Sequence, residues 1–520
     1  MNYLSLKFIF LILISIPLYY LIGRKRQLWV LALINLIFYA SAGVQYIPFI
    51  VISIISTFFA GKKIGEVYEE AENKSCESSE ERKIIKETAK KKSKRILLIT
   101  IFIVIGMLVI CKYTNFIFDN IKNILNIKND LVLNIILPLG ISFYSFMALS
   151  YILDIYWRKY KPEKSFLLYA VYLSYFPHII QGPIDRFNDF KEQVKDGIKY
   201  NYKNIIYGAQ LCLWGMFKKL VIADRMGIFV DSVFRVWDQC GGAILTAAII
   251  GYSIQIYADF SGYMDIATGI SEMFGIKISK NFNHPYFSRT MAEFWRRWHI
   301  SLQEWFKDYI YYPVVTSKYV KNARKYLTNK GKTRCAEIFV SCFPILIVWL
   351  ISGIWHGAAW KYVAWGLFHA MLLILSEICN PILKRITKSM KLDTEKFGWK
   401  FIQILRTFTL CCIGRVFFRA TNINTAIKIL GKMFTQFNFG QFFAGKTFGL
   451  DTANAILLIF AIIVLLIVDM LQEKINIRKT LDKQNIIFRW LIIYAGMFAI
   501  IIFGIYGPVY NATDFIYEQF

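Results

Sequence analysis

Lys90-Lys-Lys-Ser-Lys-Arg95 runs straight into Ile96-Leu-Leu-Ile-Thr-Ile-Phe-Ile-Val-Ile-Gly-Met-Leu-Val-Ile110. A basic cluster thus borders a long run without a charge. Apolar blocks approaching twenty residues match the roughly 30 Å hydrocarbon core of a bilayer. Lys and Arg gather on the cytoplasmic flank of such blocks. The same block recurs at Leu131–Leu149, Ala455–Val468 and Leu491–Ile505. The chain is 56% hydrophobic and only 19% charged over 520 residues, with a mean hydropathy of +0.43. A soluble protein carries about 45–50% apolar residues and about 25% charge. The pattern predicts an all-α polytopic membrane protein with roughly eleven membrane-embedded helices, some of them re-entrant.

Orientation follows by working outward from that junction. The first apolar block, Tyr3–Gly23, is followed by Arg24-Lys-Arg26. A cleaved leader carries its charge before the apolar run. We therefore expect an uncleaved helix with its N-terminus outside the cytoplasm. Helices at about 27–43 and 46–60 then place Gly61–Arg95 on the cytoplasmic side, and this loop is strongly charged and rich in Lys. Helices at 96–118 and 131–156 return the chain to Arg158, Lys159, Lys161 and Lys164, again basic. The formal net charge of +27 is therefore read as flanking charge and lipid-headgroup attraction, with no nucleic-acid partner.

Beyond Lys164 the pattern is irregular. Ser165–Gln181 ends in Gly182-Pro183, Ile205–Val230 is interrupted by Lys218 and Lys219, and Ala243–Gly262 contains Asp259. Interrupted apolar pieces survive at membrane depth only when buried in protein or facing water. Within a single membrane domain, 1–520, residues 138–370 are the expected catalytic core and 61–95 a charged cytoplasmic loop. Plainer spans follow near 335–354, 360–379, 401–418, 452–470 and 487–507. There is no internal repeat.

The nine cysteines show no C-x-x-C pair or zinc spacing, so no metal or redox role is assigned. Walker A, H-E-x-x-H and G-x-S-x-G signatures are absent. What remains is a polar set in apolar surroundings. Of five histidines, His299 lies in Glu293-Phe-Trp-Arg-Arg-Trp-His-Ile-Ser-Leu302 and His356 in Ile351-Ser-Gly-Ile-Trp-His-Gly-Ala358. An ionisable residue within a membrane segment reads first as functional, and imidazole exchanges protons near neutral pH. Small residues beside His356 and Trp355 let a substrate approach, and a base there can deprotonate a hydroxyl. The blander alternative is a buried histidine satisfied by a backbone carbonyl. Glu293 and Arg297 are spaced to pair on a helix, with Arg296 and His299 on one face. This stretch is either a tunnel lining or an interfacial aromatic-basic helix. Asp185 and Arg186, in Gly182-Pro-Ile-Asp-Arg186, and Asp259 and Asp265 can line a polar tunnel or serve as structural caps. Lys218 and Lys219 are candidates for a donor's phosphates, or mark a helix end. His178, His284 and His369 rank below His356.

Together these stretches resemble the membrane-bound O-acyltransferases, in the bacterial branch that holds alginate O-acetyltransferase and the teichoic-acid D-alanyl transfer protein. The resemblance rests on Leu137-Pro-Leu-Gly-Ile-Ser-Phe-Tyr144, Gln181-Gly-Pro-Ile-Asp-Arg186, Phe217-Lys-Lys-Leu-Val-Ile-Ala-Asp-Arg225 and Asp259-Phe-Ser-Gly-Tyr-Met-Asp265. It continues through Asn281-Phe-Asn283, Phe294-Trp-Arg-Arg-Trp-His-Ile-Ser-Leu302, Trp355-His-Gly357 and the tail Asp514–Phe520. The resemblance implies a ring of helices around a central tunnel, with His356 catalytic and His299 its partner. It also implies a multi-pass protein of the bacterial cytoplasmic membrane. The activity expected from it is transfer of acetyl from cytoplasmic acetyl-CoA toward hydroxyls of an extracytoplasmic polysaccharide or peptidoglycan. An extracytoplasmic serine-hydrolase-like partner would complete that transfer. The rival reading is D-alanyl transfer to teichoic acid from an acyl carrier protein. A reading of another class is a transporter for a lipid-linked sugar. The loop 61–95 departs from the alginate type.

Overall fold

The computed structural model describes residues 3–127, 133–391, 393–440 and 448–506. Among them the chain is helical, with no named strand and one isolated antiparallel bridge, Phe282 to Trp298. Among the described residues nine helices are long and apolar enough to cross a membrane, by length and composition, and Leu6–Leu21 and Ile141–Tyr156 are shorter apolar helices. The tail 514–520 lies outside the described residues.

The chain divides into two compact units. The first comprises residues 1–209 and 267–279. It begins with α1 (Leu6–Leu21), α2 (Gln27–Ala42), α3 (Ile47–Asn73) and α4 (Ser79–Leu125). The Ser5 side chain accepts from the Phe8 N–H at the head of α1. At the head of α4 the Ser78 hydroxyl accepts from Glu81 N–H at 3.1 Å, while the Glu81 carboxylate accepts from Glu77 N–H. These bonds satisfy donors that a helix start leaves open. The charged loop 61–95 is thus mostly helix, because α3 and α4 run past their apolar blocks to meet at a turn near 74–78. Along α4 the residues Ala89, Ser93, Leu97, Thr100, Val104 and Leu108 are buried. This three-and-four spacing keeps one stripe inward.

Next comes α5 (Ile141–Tyr156), which starts later than the expected 131. Pro138 disfavours helix at the residue before it, and Gly140 holds a left-handed φ of 69° against the Ile179 carbonyl. The apolar stretch 165–181 breaks into α6 (Phe166–Ser174) and α7 (Phe176–Ile179), hinged at Tyr175. α8 (Phe187–Val194) and most of α9 (Tyr202–Met216) follow, and residues 267–279 complete the unit.

The second unit holds residues 210–266 and 280–520. A π-helical turn over Phe217–Ala223 joins α9 to α10 (Asp224–Arg235), followed by α11 (Gly242–Met273). Short helices come next: α12 (Met291–Arg297), α13 (Ile300–Phe306), α14 (Tyr312–Val315) and α15 (Lys318–Asn329). Long helices resume with α16 (Thr333–His356), α17 (Trp360–Ser389) and α18 (Phe397–Arg419). The unit ends with α19 (Ile423–Thr435), α20 (Thr452–Gln472), α21 (Ile477–Asp482) and α22 (Ile486–Phe503). Two glycine crossings set its packing. A Cβ on Gly215 would lie 2.5 Å from the Gly262 carbonyl oxygen, and one on Gly353 would lie 2.5 Å from that of Tyr362. Small residues let backbones approach in membranes, where packing rather than water exclusion joins helices.

Candidate active site

The site is built around a helix that stops early. Thr290 caps α12 by accepting from Glu293 N–H at 3.1 Å, and the Glu293 carboxylate accepts from Arg289 N–H at 2.9 Å. Trp298 is extended and His299 is left-handed, at φ 51° and ψ 51°. That conformation costs a non-glycine residue about 1–2 kcal/mol. A neighbouring segment holds the break in place. Asn283 N–H donates to Arg297 O at 2.9 Å, and Ile300 N–H donates to Asn281 O at 3.0 Å. The Asn281 side-chain oxygen accepts from the Ser301 N–H at 3.1 Å and its hydroxyl at 2.6 Å. The expectation of Arg296 and His299 on one helical face is therefore corrected: the helix ends at Arg297, and Arg296 is exposed. The expected Glu293–Arg297 pair does form, at 2.9 Å, and Arg297 also meets Glu473.

His299 is 1% exposed and His356 5%. His356 is the last residue of α16. Trp355 stands between the imidazoles, its ring 6.1 Å from that of His299 and 4.9 Å from that of His356. Phe260 edges onto His299 at 4.9 Å, while Trp365 and Phe418 flank His356 at 4.8 and 5.5 Å. Both histidines line one cavity of about 30 Å³. One water needs roughly 10–15 Å³, whereas a whole small-molecule site takes about 300–1,000 Å³. The chamber thus has the scale of a reacting group, not of a complete donor.

Its lining also includes His369 of α17 and Arg415 of α18. His369, ranked low from sequence, packs between Trp295 and Trp365, each ring 4.9 Å away, and among the described residues its Nδ1 has no hydrogen-bond partner. Arg415 was not singled out. Its signal is a lone cation in the apolar run Leu410-Cys-Cys-Ile-Gly-Arg-Val-Phe-Phe418, the kind of residue a membrane helix rarely carries without function.

The other expected residues lie away from this cavity. At the Gly215–Gly262 crossing, Lys219 lies 2.7 Å from Asp259 and 2.9 Å from Asp224, all buried. Lys218 lies 2.6 Å from Asp265 and 2.8 Å from the Ser261 hydroxyl. In the first unit, Asp185 accepts from Ser279 N–H at 2.8 Å and lies 3.3 Å from His178 Nδ1. Arg186 precedes α8 as its capping position.

The sequence model described as MBOAT, membrane-bound O-acyltransferase family, matches residues 161–328, a range that contains His299 and ends before His356. The chain is 30% identical over 432 residues to a probable alginate O-acetylase of Pseudomonas syringae pv. tomato, covering 82% of this chain and 74% of the relative. It is 32% identical to the peptidoglycan O-acetyltransferase of Helicobacter pylori, over 78% of this chain and 73% of the relative. The teichoic acid D-alanyltransferase of Bacillus subtilis is 29% identical over 54% of this chain and 68% of the relative.

Proposed function

The chain belongs to the membrane-bound O-acyltransferase family, and on that premise we propose that it O-acetylates a cell-surface polysaccharide or peptidoglycan with acetyl from a cytoplasmic thioester, acetyl-CoA. It is an O-acyltransferase and a multi-pass bacterial membrane protein. The observation that carries the finer reading is the cavity shared by His299 and His356. His356 acts as the base. It takes the proton of the attacking hydroxyl and returns it to the leaving thiolate. His299, held by the Asn281 clamp, positions the acyl group beside it.

Similarity to two kinds of O-acetylating relative over about four-fifths of the chain supports acetyl as the group transferred. A serine-hydrolase-like partner outside the cytoplasm would carry acetyl onto the polymer, with the acyl group reaching it through a tunnel past both histidines. The second reading is D-alanyl transfer from an acyl carrier protein, favoured by the similarity to the Bacillus subtilis enzyme. Radiolabelled acetyl-CoA supplied to membranes tests the choice, with wild type compared to His356→Ala at equal expression. Label should enter surface polymer in wild type and fall to background in the variant. Label absent from both moves the assignment to D-alanyl, and equal label in both removes His356 from the chemistry.

A further inference from the structure

Arg415 is 6% exposed and lines the cavity that His299 and His356 share. Its guanidinium carbon lies 5.0 Å from the Trp298 ring, 5.2 Å from Tyr286 and 5.9 Å from Phe294. Among the described residues its Nη1 is buried with no hydrogen-bond partner and no carboxylate pairs with the guanidinium, whose side chain also hydrogen-bonds Tyr286. In the same unit two buried lysines are paired with carboxylates: Lys219 faces two and Lys218 one. A buried cation is costly unless paired. Aromatic faces attract a cation but provide no countercharge.

We propose that Arg415 stabilises the oxyanion formed during acyl transfer, an assignment that rests on the proposed function. The acceptor oxygen bonds to the thioester carbonyl carbon as its proton passes to His356. The carbonyl π pair moves onto oxygen, and this alkoxide faces the Nη1 of Arg415. Collapse restores C=O and breaks the C–S bond, and the thiolate takes the proton back from His356. The ester and a free thiol result. A fixed positive charge in a dry site acts most strongly on charge that appears only in the transition state. Arg415 is therefore expected to act on kcat and not on donor affinity.

The test uses the purified full-length chain in nanodiscs with acetyl-CoA and a soluble polysaccharide as hydroxyl acceptor, following thiol release for wild type, Arg415→Met and Arg415→Lys. Arg415→Met should lose about 10²–10³ in kcat with the donor KM unchanged, and Arg415→Lys should recover part of the loss. The melting temperature of Arg415→Met should match or exceed wild type, because an apolar replacement removes an unpaired buried charge. A loss confined to KM, or a kcat within about threefold of wild type, would overturn the assignment. So would a lowered melting temperature that accounts for the lost activity. Wild type that consumes no acetyl-CoA overturns the proposed acetyl function and this assignment with it.

Discussion

His299 shows how one backbone angle can place a functional group. Its left-handed φ of 51° turns the chain between α12 and α13. That turn is held by hydrogen bonds that Asn281 accepts and one that Asn283 N–H donates. Strained residues persist only where their surroundings over-determine them. Asn281→Ala should cost about 1–3 kcal/mol, the usual penalty for leaving buried partners unsatisfied. Thermal unfolding in detergent would measure it, and transfer should fall in parallel although no reacting group is removed. Unchanged melting and transfer would show that the clamp is dispensable. Sequence drew attention to both central histidines because imidazole is rare in apolar context. It did not single out Arg415, whose significance lies in the cavity it shares with residues of other helices. Nor did it reveal the break at Arg297, since Trp298 and His299 carry no glycine or proline to mark it.

Among the elements, the crossing of α9 and α11 joins packing to charge. Gly215 and Gly262 bring the backbones together, and that proximity lets Lys219 meet Asp259. Lys219→Met would remove the ammonium that two buried carboxylates face. The expected cost is about 3–5 kcal/mol, read as loss of folded protein after mild heating. Asp259→Asn in the same background should restore part of it. The interruption at Lys218 and Lys219 was legible in the sequence as a break in an apolar run. Their partners were not, because Asp259 lies forty residues away on another helix. In the first unit, Glu163 lies on the connection between α5 and α6. Burial alone would raise its carboxyl pKa, but Lys191 at 2.7 Å and the N–H groups of Lys164 and Ser165 hold it below its ordinary range. The folded state therefore gains stability from this carboxylate above about pH 4.5, and the gain is lost as pH falls through the lowered value. Glu163→Gln should flatten that part of the acid-unfolding profile.

Across the whole molecule, the placement of basic loops predicts that residues 61–95 face the cytoplasm. Cys76 sits in the turn between α3 and α4 and is partly exposed. A membrane-impermeant maleimide should label it only after cells are permeabilised, and labelling of intact cells would reverse the orientation. Apolar blocks made the helical membrane class readable, because burial in lipid leaves a strong compositional trace. Helix ends were less readable: α3 and α4 extend through sequence too polar to register as membrane. At 47 residues and about 1.5 Å per residue, α4 is roughly 70 Å long, more than twice the roughly 30 Å hydrocarbon thickness. Braced by α3, its polar portion forms a mast. Anything that grips the tip is held at a fixed standoff from the bilayer, by a strut whose length is written in helical turns.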